Sequence, residues 1–169
     1  MSAETIIGLW KDARGGLIKE IEKVPDDQFS FRATPDTRTV AEIIQHIVST
    51  QKIIVGEACR PDTDLRRQSF AAHAAEYAPG VGDVSDKNGL LELLRASMNE
   101  SAAQINAYGE KLGESMTSLM GQPTTKTAFL VFGMSHEMYH RGQLTVYERL
   151  LNIEPALTEM FRRMTASAG

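Results

Sequence analysis

The sequence predicts an all-α protein built as a four-helix bundle. Three observations carry this. Apolar residues recur at helical spacing in four long stretches, proline and glycine divide the chain into those stretches, and no segment alternates apolar and polar residues as a strand would.

The first helix is predicted from about Ser2 to Val24, with Ile6, Ile7, Trp10, Leu17, Ile18 and Ile21 on one stripe and Pro25 ending it. The second opens at Thr39, where T-V-A-E forms a capping box with Glu42 reaching back to the free amides. It carries Val40, Ile43, Ile44, Ile47, Ile53 and Ile54 and stops before Pro61. Residues 60–85 form a long connection with Pro61, Pro79, Gly80 and Gly82, and a short helix is predicted within it from Ser69 to Glu76. The third helix starts near Ser85 or Asp86 and runs through Leu90, Leu93, Leu94, Met98, Ile105 and Leu112. The fourth starts after Pro123, near Thr124, and runs to about Leu151; Pro155 opens a terminal helix through Phe161. The Asp26 to Arg38 linker is short enough to make the first two helices antiparallel neighbours. The connection before the third exceeds the usual roughly 2–8 residues, so a long crossover between helices 2 and 3 and an up-down-down-up order are expected.

The chain has 169 residues, 24% charged and 42% hydrophobic, and is expected to form one domain over residues 1–169. A net charge of −4 argues against a nucleic-acid partner held by a basic surface. No stretch approaches the ~20 apolar residues that cross a bilayer, and Glu4 stands where a signal peptide would be basic and then apolar. No membrane association is expected. The single cysteine, Cys59, excludes an internal disulfide, suits a reducing cytoplasm and excludes a thiolate-rich zinc site.

Three of the four histidines stand out: His46 in the second helix, and His136 with His140 in the fourth. An i, i+4 step turns about 400° and rises about 6 Å, so His136 and His140 leave one face of the helix. They lie in a stripe with Phe129, Phe132, Gly133, Gln143, Leu144 and Tyr147, while His46 shares a stripe with Ile43, Thr50 and Ile53. If both stripes face the interior, three neutral imidazoles meet. Such a set suits a divalent transition metal such as Zn, Ni, Fe or Cu, and leaves a coordination position for water or substrate. The competing reading is chance spacing with buried histidines that only satisfy hydrogen bonds.

Two blocks, R-T-V-A-E-I-I-Q-H-I at Arg38 to Ile47 and H-E-M-Y-H-R-G-Q-L at His136 to Leu144, resemble the DinB-like family of damage-inducible proteins. The resemblance implies an up-down-down-up four-helix bundle, usually a homodimer, with a divalent metal on residues matching His46, His136 and His140. Relatives include bacillithiol transferases and mycothiol-dependent maleylpyruvate isomerase, in which the metal activates a low-molecular-weight thiol. The function implied is a metal-dependent thiol S-transferase acting on a small-molecule substrate. The alternatives are a non-catalytic stress-related binding protein and a metal-dependent hydrolase.

The neighbouring residues carry their own expectations. Glu137 is expected to pair with Arg141 at i, i+4 on the surface, with a general-base role as the functional alternative. Gly142 is expected to permit close helix packing. Gln143 and Thr50, each one turn past a histidine, either orient a ligand or make structural hydrogen bonds. His73 is expected at the surface, Cys59 inert, and Trp10 in the core or a dimer interface. Met116, Met120, Met134, Met138, Met160 and Met164 are read as packing residues.

Overall fold

A computed structural model describes residues 1–166 of the chain, and it is all-α apart from one short hairpin. Helix α1 (Ala3–Lys23) is capped by the Ser2 hydroxyl, which accepts from the Thr5 amide at 3.2 Å. Helix α2 (Val40–Ala58) begins with the expected capping box: Thr39 Oγ1 accepts from Glu42 N at 3.1 Å and Glu42 Oε2 from Thr39 N at 2.6 Å. Helix α3 (Phe70–Tyr77) lies in the long connection, capped by Ser69. Helix α4 (Lys87–Tyr108) starts on Asp86, α5 (Lys126–Leu150) on Thr125, and α6 is Ala156–Ala166.

Two local differences from expectation have clear causes. Helix α4 stops at Tyr108, because Gly109 adopts φ +56° and a 3-10 turn over Gly109–Gly113 carries Leu112 back into the core. Strands β1 (Ser115–Thr117) and β2 (Pro123–Thr125) then pair antiparallel; three residues each are too few to show an alternating pattern in the sequence.

Leu17 and Ile21 from the end of α1 cluster with Val40 and Ile44 from the start of α2, Leu90 from the start of α4 and Leu144 from the end of α5. Helices α1 and α5 therefore run one way, and α2 and α4 the other. A second apolar cluster at the opposite end holds Ile6, Trp10, Ile54, Val55, Ile105 and Leu130. Each of α1 and α2 packs against both α4 and α5. The first two helices are thus diagonal across the bundle, not the neighbours their short linker suggests. The linker crosses the bundle end: Phe29 is buried, the Phe31 ring meets Tyr147 of α5 edge-on at 5.6 Å, and the amides of Val40 and Ala41 donate to the carbonyls of Phe31 and Phe29, each at 3.0 Å.

Between the two apolar clusters lies one polar node. Buried Arg14 of α1 uses all five N–H donors: Nε to Glu137 Oε1 at 2.7 Å, Nη2 to Glu137 Oε2 and Gln51 Oε1 at 2.8 Å each, and Nη1 to Ser97 Oγ at 3.0 Å and to the Leu94 carbonyl at 2.5 Å. Trp10 Nε1 adds a bond to Glu137 Oε2 at 2.7 Å. Every bundle helix contributes, which fixes both rotation and axial register. Helix α5 approaches closely enough that a Cβ on Gly133 would lie 2.8 Å from the Trp10 ring and 2.9 Å from Ile54. Gly142, expected to serve that purpose, faces open space.

The long connection has its own anchor. Buried Glu57 accepts from Arg67, with Nε at 3.0 Å, and from the Tyr77 hydroxyl at 2.6 Å, while Thr117 N donates to Thr63 O at 3.1 Å. His73 is buried here, correcting the surface expectation. Its Nε2 lies 3.2 Å from the Leu65 carbonyl, and its Nδ1 lies 3.1 Å from Gln68 Nε2 and 3.4 Å from Glu57 Oε1. No helix among the described residues is long and apolar enough to cross a membrane.

Candidate metal centre

The three predicted histidines come together at the seam between α2 and α5. His46 Nε2 lies 3.1 Å from His136 Nε2, and His140 Nε2 lies 3.1 Å from the same atom. The rings meet edge to face, with centroids 4.9 Å apart for His46 and His136, 4.8 Å for His46 and His140, and 4.4 Å for His136 and His140. Metal–nitrogen bonds of about 2.0–2.1 Å with angles between 90° and tetrahedral place ligand nitrogens roughly 2.9–3.4 Å apart. The two Nε2 separations fall in that range, and the candidate ligand nitrogens of all three residues lie within 4.8 Å of one another.

The donor chemistry agrees with the geometry. Burial lowers the basicity of His46 and His136 to about 4, assisted by the charge of Arg38 and by His140; for His136 the Glu137 carboxylate opposes the shift. His140 is lowered too, mainly by burial and against the pull of Gln143. All three rings are therefore neutral at pH 7. Gln143 Oε1 accepts from His140 Nδ1 at 2.7 Å, which leaves the Nε2 lone pair directed at the other rings. Both contacts share His136 Nε2, which offers either one proton or one lone pair, so only one of them can be a straight N–H···N hydrogen bond. A shared cation resolves this.

A second group of candidate ligands, Glu57, His73 and Glu76, is already filled. The Arg67 guanidinium lies between the two carboxylates, bonding Glu76 Oε2 at 2.7 Å as well as Glu57, and both His73 nitrogens have partners.

Several expectations about neighbouring residues need correction. Glu137 is buried inside the bundle, paired with Arg14 and Trp10 rather than Arg141, and has no free oxygen for general-base work. Arg141 instead reaches Glu20 Oε1 at 2.8 Å across Gly16, where a Cβ would collide with the guanidinium. Thr50 is buried, and its hydroxyl has no hydrogen-bond partner among the described residues. Trp10 is in the core. Met116 is buried, but Met120, Met138, Met160 and Met164 are exposed, and so is Phe132 of the histidine stripe. Burial pushes the Cys59 thiol up to about 11, in keeping with an inert residue.

Sequence reading missed the Arg14 node and the role of Arg38. A signal existed for the first: Arg14 falls four residues after Trp10 and three before Leu17, inside the apolar stripe, and Glu137 falls midway between Leu130 and Leu144 in the same sense.

A sequence model of the DinB family matches residues 1–167. The fold is similar to that of a DinB-like protein from Bacillus subtilis, at 18% identity over 88% of this chain and 92% of that one, with a TM-score of 0.67. It is also similar to a mycothiol-dependent maleylpyruvate isomerase, at 11% identity over 85% of this chain and 61% of that one, TM-score 0.63. The colibactin self-resistance protein ClbS, solved in complex with a dsDNA, matches at 14% identity over 88% of this chain and 96% of that one, TM-score 0.63. No curated protein matches the sequence.

Proposed function

Because this chain belongs to the DinB family, we propose that His46, His136 and His140 hold a divalent transition metal, zinc, nickel or iron, and that the site activates a low-molecular-weight thiol for transfer to a small electrophile. The observation that carries this reading is the convergence of three Nε2 atoms, 3.1 Å apart in successive pairs, at a part-buried seam between α2 and α5. When bound, such a cation supplies Lewis acidity that holds a thiol as thiolate at neutral pH. The chain's own residues do the rest. The imidazoles offer neutral lone pairs, Gln143 keeps the His140 tautomer, and the Arg14–Glu137 node fixes the rotation of α5 so that both of its histidines face α2.

The reading extends to assembly and location. Phe132, Tyr139 and Val146 repeat every seven residues on the exposed face of α5, with Leu150 beyond them, an apolar stripe suited to a homodimer. We propose that residues 1–169 act as one domain, that the dimer works in the cytoplasm, and that its partner is a small molecule rather than nucleic acid or membrane.

Elemental analysis of protein purified without chelator tests the central claim. One transition-metal ion per chain is expected, lost in His46→Ala and in His140→Ala. Metal-loaded protein should then turn over with bacillithiol, mycothiol or glutathione against small electrophiles. Turnover that needs no thiol and rises with pH would redirect the reading to hydrolysis. Folded protein that cannot be loaded would redirect it to a non-catalytic binding role.

A further inference from the structure

Arg38, an exposed residue at the start of α2, lines one cavity with His46 and another with Gln143, the hydrogen-bond partner of His140. Its charge is felt at all three histidines, most at His46 relative to the other influences there, and also at the Glu42 carboxylate. Its side chain lines two adjoining cavities, one of about 550 Å³ that includes His46 and Ser49, and one of about 660 Å³ that includes Gln143 and Tyr147. The Tyr147 hydroxyl donates to the Arg38 carbonyl at 2.9 Å, and the next residue, Thr39, caps α2, so the backbone is held at both sides. Yet the guanidinium makes no hydrogen bond or ion pair among the described residues. Nearby Arg32 does, lying 3.6 Å from Glu42. Asp36 lines both cavities as well without pairing to Arg38, and Glu42, which feels the Arg38 charge, lines the His46 cavity.

A fixed cation beside three neutral imidazoles weakens the binding of another cation. The arrangement becomes favourable when an anion lies between them. We infer that Arg38 is the anion-recognition residue of the three-histidine site, and that the molecule taken there carries a carboxylate within reach of the guanidinium while its thiol points at the imidazoles. This rests on the metal-site reading above and names the substrate class for it. A planar guanidinium suits a carboxylate because two parallel N–H donors match its two oxygens. The cavity that Arg38 shares with His46 is an open depression, with room for a small thiol acid between the two side chains.

The test compares 3-mercaptopropionate with its neutral amide on the full chain. With cobalt(II) loaded, the thiolate-to-cobalt absorption band reports binding of each. The acid should bind about tenfold more tightly than the amide, as expected for one charge-assisted hydrogen-bonded pair. Arg38→Gln should bring the two within about twofold while cobalt stoichiometry stays unchanged, and Arg38→Lys should keep part of the preference. Equal binding of acid and amide by the unsubstituted protein, or a preference that survives in Arg38→Gln, overturns the inference. Failure to take up cobalt sinks the metal reading instead, and the anion inference is then read without metal. The ¹⁵N signal of the Arg38 guanidinium should shift saturably with the acid and not with the amide; the same response to both, or to neither, overturns it.

Discussion

Glu137 shows what a single residue can hide. Its sequence neighbours suggest a surface pair with Arg141, yet it lies in the middle of the bundle with both oxygens engaged by Arg14 and Trp10. The error has a physical origin. A carboxylate on an apolar stripe is assigned to the surface by its charge, unless a buried donor set large enough to hold it is known. Arg14, also on an apolar stripe, was that donor. Removing one partner leaves an uncompensated buried charge, so Glu137→Ala should lower stability by about 3–5 kcal/mol in denaturant titration. Replacing both, as Arg14→Met with Glu137→Leu, should recover most of that loss. A double variant as unstable as the single one would show that the node contributes through its geometry and not through charge. The histidines were legible for the opposite reason. An i, i+4 pair is a local pattern, and His46 sits in a stripe whose direction the capping box at Thr39 fixes.

At the scale of elements, α6 is held by a carboxylate. Glu20 of α1, itself buried, accepts from the amides of Ala156 and Leu157 at the start of α6 and from Arg141 of α5. Close by on α5, Glu148 is buried, and neither of its oxygens has a hydrogen-bond partner among the described residues. Burial, reinforced by the Glu20 charge, raises its pKa from 4.5 to about 8. The folded state therefore binds a proton that the unfolded chain has already lost between pH 4.5 and 8. The stability tied to that proton is fully present below pH 4.5 and falls as pH rises through 8. Thermal unfolding of the unsubstituted protein should drop by roughly a few degrees between pH 6 and pH 9. Glu148→Gln, which stays neutral, should show a flatter profile; an unchanged slope would remove Glu148 as the cause. The Glu20 dock was not readable in advance, because it joins residues 136 positions apart through a backbone amide that has no sequence signature.

For the whole molecule, helix order, caps and the long crossover were legible because each leaves a local mark in proline, glycine or apolar spacing. Which helices touch was not. A linker's length limits the distance between two helix ends without choosing between a side and a diagonal of the bundle, and here Phe29 and Phe31 pack over the bundle end and make the diagonal favourable. The exposed stripe of Phe132, Tyr139 and Val146 belongs to this scale too. Light scattering at micromolar concentration should give twice the chain mass, and Tyr139→Glu, which puts a charge at the centre of the stripe, should halve it. A single-chain mass for the unsubstituted protein would refute the dimer.

The convergence of His46 with His136 and His140 spans ninety positions of chain. A denatured polypeptide has no such cup, because its imidazoles are scattered along a fluctuating coil. An ion captured there acts as a clasp between the front and rear halves of the chain, tightening the native state in proportion to the logarithm of its free concentration. Chelator-induced softening, seen as a lower melting temperature after EDTA and its recovery on re-addition of the ion, would then register correct assembly as faithfully as any spectroscopic probe.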